Sequence, residues 1–220
     1  MHKHRMRFSK EGTAIYISHL DLMRLMQRAF LRAGLPLQHT EGFNPHARIS
    51  VALPLSVGME SVCEFLDFTL LDEAQLADTP RRLNDVLPAG VRVLRAYEAV
   101  RKTKEIAALR IKGVLEYDRG ADPGLAEALA AFFGAGQIVI EKKTKKGIQE
   151  ADIRPGIQKL ELARRGGNEV ELQAEISAQN PGLNPMLLIQ ALKETAPHLA
   201  PDFACFRRLE ALDAAGQTFV

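Results

Sequence analysis

Tyr16-Ile17-Ser18-His19-Leu20-Asp21-Leu22-Met23-Arg24-Leu25-Met26-Gln27-Arg28-Ala29-Phe30-Leu31-Arg32-Ala33-Gly34-Leu35-Pro36 is the stretch from which the fold is read. Ser18 with Asp21 three residues on makes a capping box at a helix start, and Gly34-Leu35-Pro36 supplies the glycine and proline that stop one. Between them Leu22, Met26, Ala29 and Ala33, with Leu25 and Phe30 at the flanks, recur at helical spacing and form an apolar stripe. On the polar side Arg24, Arg28 and Arg32 stand four apart, nearly above one another. A guanidinium is a planar fork of donors suited to phosphate or carboxylate, and a row of three suits a polyanion better than a single small anion. The same row also fits an ordinary solvated helix face.

Before this helix, Met6 and Phe8 alternate with Arg5, Arg7 and Ser9, a strand with one apolar face. After it come alternating runs at Ile49–Leu53 and Glu64–Leu70, separated by a turn-rich stretch around Pro54, Gly58 and Ser61. A second helix is expected from about Glu73 to Leu87, stopped by Pro88 and Gly90, then a closing strand at Val91–Leu94. The order βαββαβ is the split βαβ, or ferredoxin-like, arrangement of an antiparallel sheet with both helices on one face. Beyond the basic link Arg101-Lys102-Thr103-Lys104 a similar order returns. It comprises a strand over 106–117, an Ala-rich helix over 123–133, a strand at 138–140, a hairpin from 157–162 and 170–176, a helix from Asn184 to about Thr195, and a strand over 206–212. The expected architecture is therefore α+β, with one ferredoxin-like unit over residues 1–100 and a second, irregular one with an inserted hairpin over 105–220.

The near-neutral balance of 29 basic and 27 acidic residues conceals an asymmetry. Residues 1–50 hold eight Lys and Arg against three acids, together with five of the six histidines. Residues 51–80 carry six acids and no Lys or Arg, which makes the stretch from Glu60 to Asp78 a solvated sheet edge or a docking face. Cys63 and Cys205 lie far apart in apolar contexts, the pattern of buried, reduced thiols. No apolar run is long enough to span a bilayer, and the start shows no hydrophobic signal core, so a cytoplasmic protein is expected.

The loop Gly42-Phe43-Asn44-Pro45-His46-Ala47-Arg48 directly follows the first helix. It offers an amide at Asn44, an imidazole at His46 and a guanidinium at Arg48, or else it is a tight turn that buries Phe43. A second basic feature, Lys142-Lys143-Thr144-Lys145-Lys146-Gly147, reads as a loop that attracts phosphate without reading sequence, or as a solubilising one. Tyr16 and His19 flank the first helix start, where a histidine can act as acid or base; with His46 they are the acid–base candidates of a metal-independent ribonuclease. No spacing of His, Cys and acids matches a metal-ligand set, and the phosphate-binding glycine signatures are missing, so neither metal nor cofactor is expected. Two cysteines cannot ligate an iron–sulfur cluster by themselves. Aromatic content of 6% without Trp argues for phosphate-rich shape recognition over a stacking sheet.

Tyr16-Ile17-Ser18-His19-Leu20-Asp21, Arg24, Arg28, Arg32-Ala33-Gly34-Leu35-Pro36, Gly42-Phe43-Asn44-Pro45-His46, Pro54-Leu55, Gly58 and Glu60-Ser61 together resemble the radical-SAM-associated bacterial domain family of unknown function. The resemblance is dense through residue 70 and thins to the Lys-rich segment and Asp152-Ile153-Arg154-Pro155. It implies a partner, a radical SAM protein encoded nearby or fused, and no reaction for this chain. The layout also resembles, at the level of fold alone, the RNA-processing endonucleases of CRISPR systems, although their glycine-rich loop has no counterpart after Pro201. The leading expectation is a non-catalytic accessory protein that binds structured RNA, tRNA or rRNA, with no DNA and no membrane. Arg24, Arg28, Arg32 and Arg48 would hold phosphates, helped by Lys142, Lys143, Lys145 and Lys146, while Asn44 and His46 shape the end of the groove. The endoribonuclease and a pure protein-interaction module stand as alternatives.

Overall fold

The computed structural model describes residues 3–144 and 147–220. It is a mixed α+β structure whose strands pair mostly antiparallel and whose helices are few. The chain divides into two compact units, residues 1–105 with Val220 and residues 106–219.

In unit 1, β1 (His4–Lys10) leads to α1 (His19–Arg32), then β2 (Ile49–Ala52), β3 (Glu60–Phe68), α2 (Thr79–Asn84) and β4 (Val91–Glu98). The sheet order is β4-β1-β3-β2. Both helices cover one face: Met6 and Phe8 of β1, Leu66 and Phe68 of β3 and Val91 and Val93 of β4 bury with Leu22, Met26, Ala29 and Phe30 of α1 and Leu83 of α2. The apolar stripe thus faces the sheet and leaves the polar side of α1 outward. α1 starts on Ser18, whose hydroxyl accepts from the Asp21 N–H at 3.2 Å. It ends in a Schellman motif, with the Leu35 and Gly34 N–H groups donating to the carbonyls of Phe30 and Leu31. Gly34 has φ +64°, where glycine alone is unstrained.

Two features of unit 1 differ from expectation. The single helix expected over 73–87 is a 3₁₀ turn at Glu73–Gln75 and then α2, because Pro80, which cannot continue a helix from upstream, restarts it. Asn84, the last residue of α2, then uses its side-chain amide to donate to the Val93 carbonyl of β4 at 2.9 Å and accept from the Val93 N–H at 2.8 Å. The other difference concerns β1, which is buried on both faces. Arg5, on the face away from the helices, is 1% exposed and holds Asp67 directly across on β3 through Nε at 2.6 Å and Nη2 at 3.2 Å. Lys3 reaches the same carboxylate at 2.7 Å. Lys10 is also buried; its Nζ donates to the Ile15 carbonyl at 3.0 Å, and burial lowers its pKa against the opposing pull of Glu64. The basic N-terminal stretch therefore spends part of its charge indoors. The acidic stretch is divided likewise: Glu64 and Asp67 are buried, whereas Asp72, Glu73 and Asp78 are exposed, Asp72 capping a local turn and Asp78 pairing with Arg81.

In unit 2, β5 (Ile106–Glu116) leads through α3 (Leu125–Phe133) to a hairpin of β6 (Val139–Thr144) and β7 (Gly147–Asp152), then β8 (Ile157–Gly166), β9 (Glu169–Ser177), α4 (Met186–Thr195) and β10 (Phe203–Asp213). The four long strands take the order β10-β5-β9-β8, which without the hairpin repeats the order in unit 1. The insertion is therefore β6–β7, while the hairpin expected around Gly166-Gly167 is β8–β9 of the main sheet. One face of this sheet carries a ladder of ion pairs: Arg110 with Glu175 and Glu210, Lys159 with Glu175, and Lys112 and Arg165 with Glu171. Cys63 is buried as expected, but Cys205 on β10 is exposed, because alternation along the strand turns its neighbour Phe206 inward instead.

Candidate nucleic-acid interface

Between α1 and β2 the chain makes a pinned excursion. The Gln38 N–H donates to the Thr69 carbonyl at 2.9 Å and the Arg48 N–H to the Gln38 carbonyl at 2.7 Å. Nearer the tip, the Thr40 N–H donates to the His46 carbonyl at 2.8 Å and the His46 N–H to the Thr40 hydroxyl at 3.0 Å. His39 and Ala47 bridge as a short antiparallel pair. What remains free is the tip, Glu41 to His46, all of it exposed. Phe43 does not bury itself as a tight turn would require; its 111% exposure puts the whole ring in solvent.

Between the excursion and the second half of α1 lies a groove of about 500 Å³. Its sides are Gln27, Arg28 and Leu31 from α1, Leu35 to Leu37 beyond the helix, Leu71, and His39 with Pro45 to Ala47 from the excursion. No carboxylate lines it.

The arginine row is not uniform. Arg24 pairs with Asp21 at 3.1 Å, and the Ser18 hydroxyl followed by Arg24 holds the Asp21 carboxyl below its usual range. Arg28 is exposed at the rim of the groove. Arg32 swings away and donates to the Val86 carbonyl at 2.8 Å, while Arg82 of α2 reciprocates by donating to the Gly34 carbonyl at 2.9 Å. Two guanidiniums therefore staple the helix ends together. Arg48 is half-buried and donates to the His39 carbonyl at 3.3 Å, fastening the base of the excursion.

Arg28 and His46 thus meet at one groove, Asn44 stands at the adjoining tip, and Arg24 lies one turn up the helix. Tyr16 and His19 are exposed near the start of α1. His19 is eight residues before Gln27, the first groove residue of α1, or about 12 Å along the axis, so it stands outside the groove that His46 lines. The Lys-rich segment is not a plain loop: Lys142 and Lys143 belong to strand β6, opposite Gln149 and Ile148, because the alternation resumes after Gly147 and pairs the two runs. Lys145 and Lys146 lie outside the described residues, as does His2. Sequence reasoning missed Phe43, Leu31 and His39 as parts of the site. A phenylalanine set between Gly42 and Asn44-Pro45 in an otherwise polar turn sequence was the available signal for the first.

Among the described residues no group of three or more His, Cys, Asp or Glu is placed to hold a metal ion. No helix among them is long and apolar enough to cross a membrane.

The folding pattern and the groove together define an α+β protein built from antiparallel sheets with helices packed on them, carrying a cationic, loop-walled cleft. Residues 3–185 match a bacterial family, and the chain belongs to it: uncharacterized protein conserved in bacteria (DUF2344). No curated protein matches the sequence. Among solved structures, a chain in the crystal structure of a Cbf5-Nop10-Gar1 complex is similar, with 8% identity, a TM-score of 0.53, and 94% of this chain and 48% of that chain covered. A chain in the structure of an H/ACA RNP bound to a substrate RNA containing 2'-deoxyuridine has 9% identity and a TM-score of 0.49, with 94% and 47% covered. This chain spans about half the length of the structures it resembles, and at these identities the likeness concerns the fold alone.

Proposed function

We propose that the protein is a non-catalytic accessory module that binds structured RNA, a tRNA or rRNA, and presents it to a radical SAM enzyme. Both units are read as ferredoxin-like, the second carrying the β6–β7 insertion. The observation that carries the RNA reading is the alignment of exposed Arg24 and Arg28 on α1 with a pinned excursion that holds Phe43, Asn44 and His46 in solvent. Cations on a rigid helix neutralise backbone phosphates, and an exposed aromatic ring beside them suits an unpaired base. The radical SAM partner is supported by the resemblance carried by residues 16–61. In this reading the partner supplies the chemistry.

Filter binding of tRNA and rRNA fragments across a salt series tests the reading. Affinity falls with salt, and charge reversal at Arg24 and Arg28 abolishes binding while the fold survives. A flat salt response, or unchanged binding by that variant, refutes it. RNA cleavage by wild-type protein that the His46→Ala variant lacks would establish the ribonuclease instead, and co-purification with a radical SAM protein after nuclease treatment, without RNA binding, would establish the interaction module.

A further inference from the structure

The groove between α1 and the excursion is more apolar than phosphate binding requires. Leu31, Leu35, Leu37 and Leu71 line it, and Leu31 and Leu71 are 79% and 63% exposed. Four leucines do nothing for a phosphate. A site that only tracks a duplex backbone is built from cations and backbone amides, and shape readout of a paired stem needs no apolar cleft.

Phe43 adds a second anomaly. Exposing an aromatic ring completely forgoes about 2 kcal/mol of burial, yet the excursion is held by backbone bonds on both sides of its tip, so the ring is presented and not frayed. The lining of the groove carries Arg28 and no carboxylate, with Glu41 standing further out on the exposed tip, so an occupant with an apolar face and an anionic linkage is favoured over a neutral one. An unpaired nucleotide has this combination: a flat base that stacks or packs on apolar groups, joined to a phosphate. About 500 Å³ is room for a single nucleotide.

Resting on the RNA-binding reading above, we infer that this groove receives a single nucleotide that is unpaired or rotated out of its helix. The base lies over the leucine floor, Phe43 stacks on the neighbouring base, and Arg28 holds the linking phosphate. His39 and His46 face the base edge as donors or acceptors. The recognised feature is therefore a bulge or loop within structured RNA. This also suits delivery to an enzyme that must reach a base atom, because such enzymes need the base out of the stack.

The test uses the full-length chain and three fluorescein-labelled hairpin RNAs of one stem sequence: fully paired, with a single bulged adenosine, and with an abasic ribose at the bulge. Fluorescence anisotropy gives the three affinities for wild type, Phe43→Ala and Arg28→Ala. Both side chains are exposed, so neither variant threatens the fold. The bulged RNA binds about tenfold more tightly than the paired one, and the abasic RNA loses that advantage, in keeping with the worth of stacking one base. Phe43→Ala shrinks the ratio towards one, whereas Arg28→Ala weakens all three RNAs. Equal, salt-dependent affinities for the three RNAs would overturn the nucleotide pocket and leave RNA binding standing. No binding to any of them would overturn both, and leave the groove to a protein partner.

Discussion

The three arginines of α1 look equivalent in the sequence and are not equivalent in the structure, which makes them separable by experiment. Arg32 is committed to the Val86 carbonyl at 2.8 Å, so Arg32→Ala removes a charge-assisted bond between the two helix ends. On an exposed site that bond contributes about 1 kcal/mol, which corresponds to a fall in Tm of about 2–8 °C, depending on whether unit 1 melts alone or with the rest. Arg28 touches no carboxylate and lines the groove, so Arg28→Ala changes stability by less than about 0.5 kcal/mol. Binding divides the other way. With Arg24 and Arg28 each neutralising a phosphate, log affinity falls against log salt with a slope of about −1.4 to −1.8, and Arg28→Ala makes that slope shallower by about 0.7–0.9. Arg32→Ala leaves it in place. Urea denaturation and filter binding on the same preparations read both quantities. An unaltered salt slope in Arg28→Ala, or a slope lowered in Arg32→Ala as much as in Arg28→Ala while Tm holds, refutes this division of roles.

Arg5→Met strands Asp67 in the interior of unit 1 with the Lys3 ammonium still beside it, and costs about 3 kcal/mol in urea denaturation; the double variant Arg5→Met with Asp67→Leu recovers most of that loss. The ion-pair ladder of unit 2 sets an acid limit. The hydrogen bond from Lys112 holds the Glu171 carboxyl below the ordinary 4.5, and those from Lys159 and then Arg110 do the same for Glu175. Because the folded values are depressed, the stabilisation is fully present above 4.5 and is lost as pH falls through the folded values. Urea midpoints measured from about pH 6 to about pH 3 should fall steeply at the acid end, and less steeply in Glu171→Gln with Glu175→Gln. Cys205 reacts with a thiol reagent in the native protein, whereas Cys63 reacts only on unfolding, which mass spectrometry of the labelled peptides resolves.

Element order was legible because its signals are local. The cap at Ser18, the stop at Gly34 and the stripe between them determine α1 without reference to anything distant. The breaks came where a residue's role depends on a partner far along the chain. Arg5 alternates with Met6 and Phe8 as a surface residue would, and only the pairing of β1 with β3 sets it across from Asp67. The same holds for Arg32, whose partner is 54 residues away at Val86. The Lys-rich segment looked irregular since its first half is charged, and the pairing that makes Lys142 and Lys143 a strand is supplied by residues 147–152. Of the candidate site, Arg28 and His46 were visible as chemistry. Their shared groove was not, since its walls are leucines contributed by three separate segments.

The strand orders carry a consequence for synthesis. In unit 1, β1 lies between β3 and β4, with His4 opposite Glu98; in unit 2, β5 meets β10, with Ile106 opposite Asp213. Each unit thus begins with a strand whose second neighbour is made last. Closing loops of that length before the contacts form is slow. On the ribosome the first unit keeps one edge of β1 unpaired until β4 has emerged, and α1 packs on a sheet that is still incomplete. Release of each half is therefore gated by its final strand, and a chain halted before Glu98 presents an open edge to its neighbours on the same messenger.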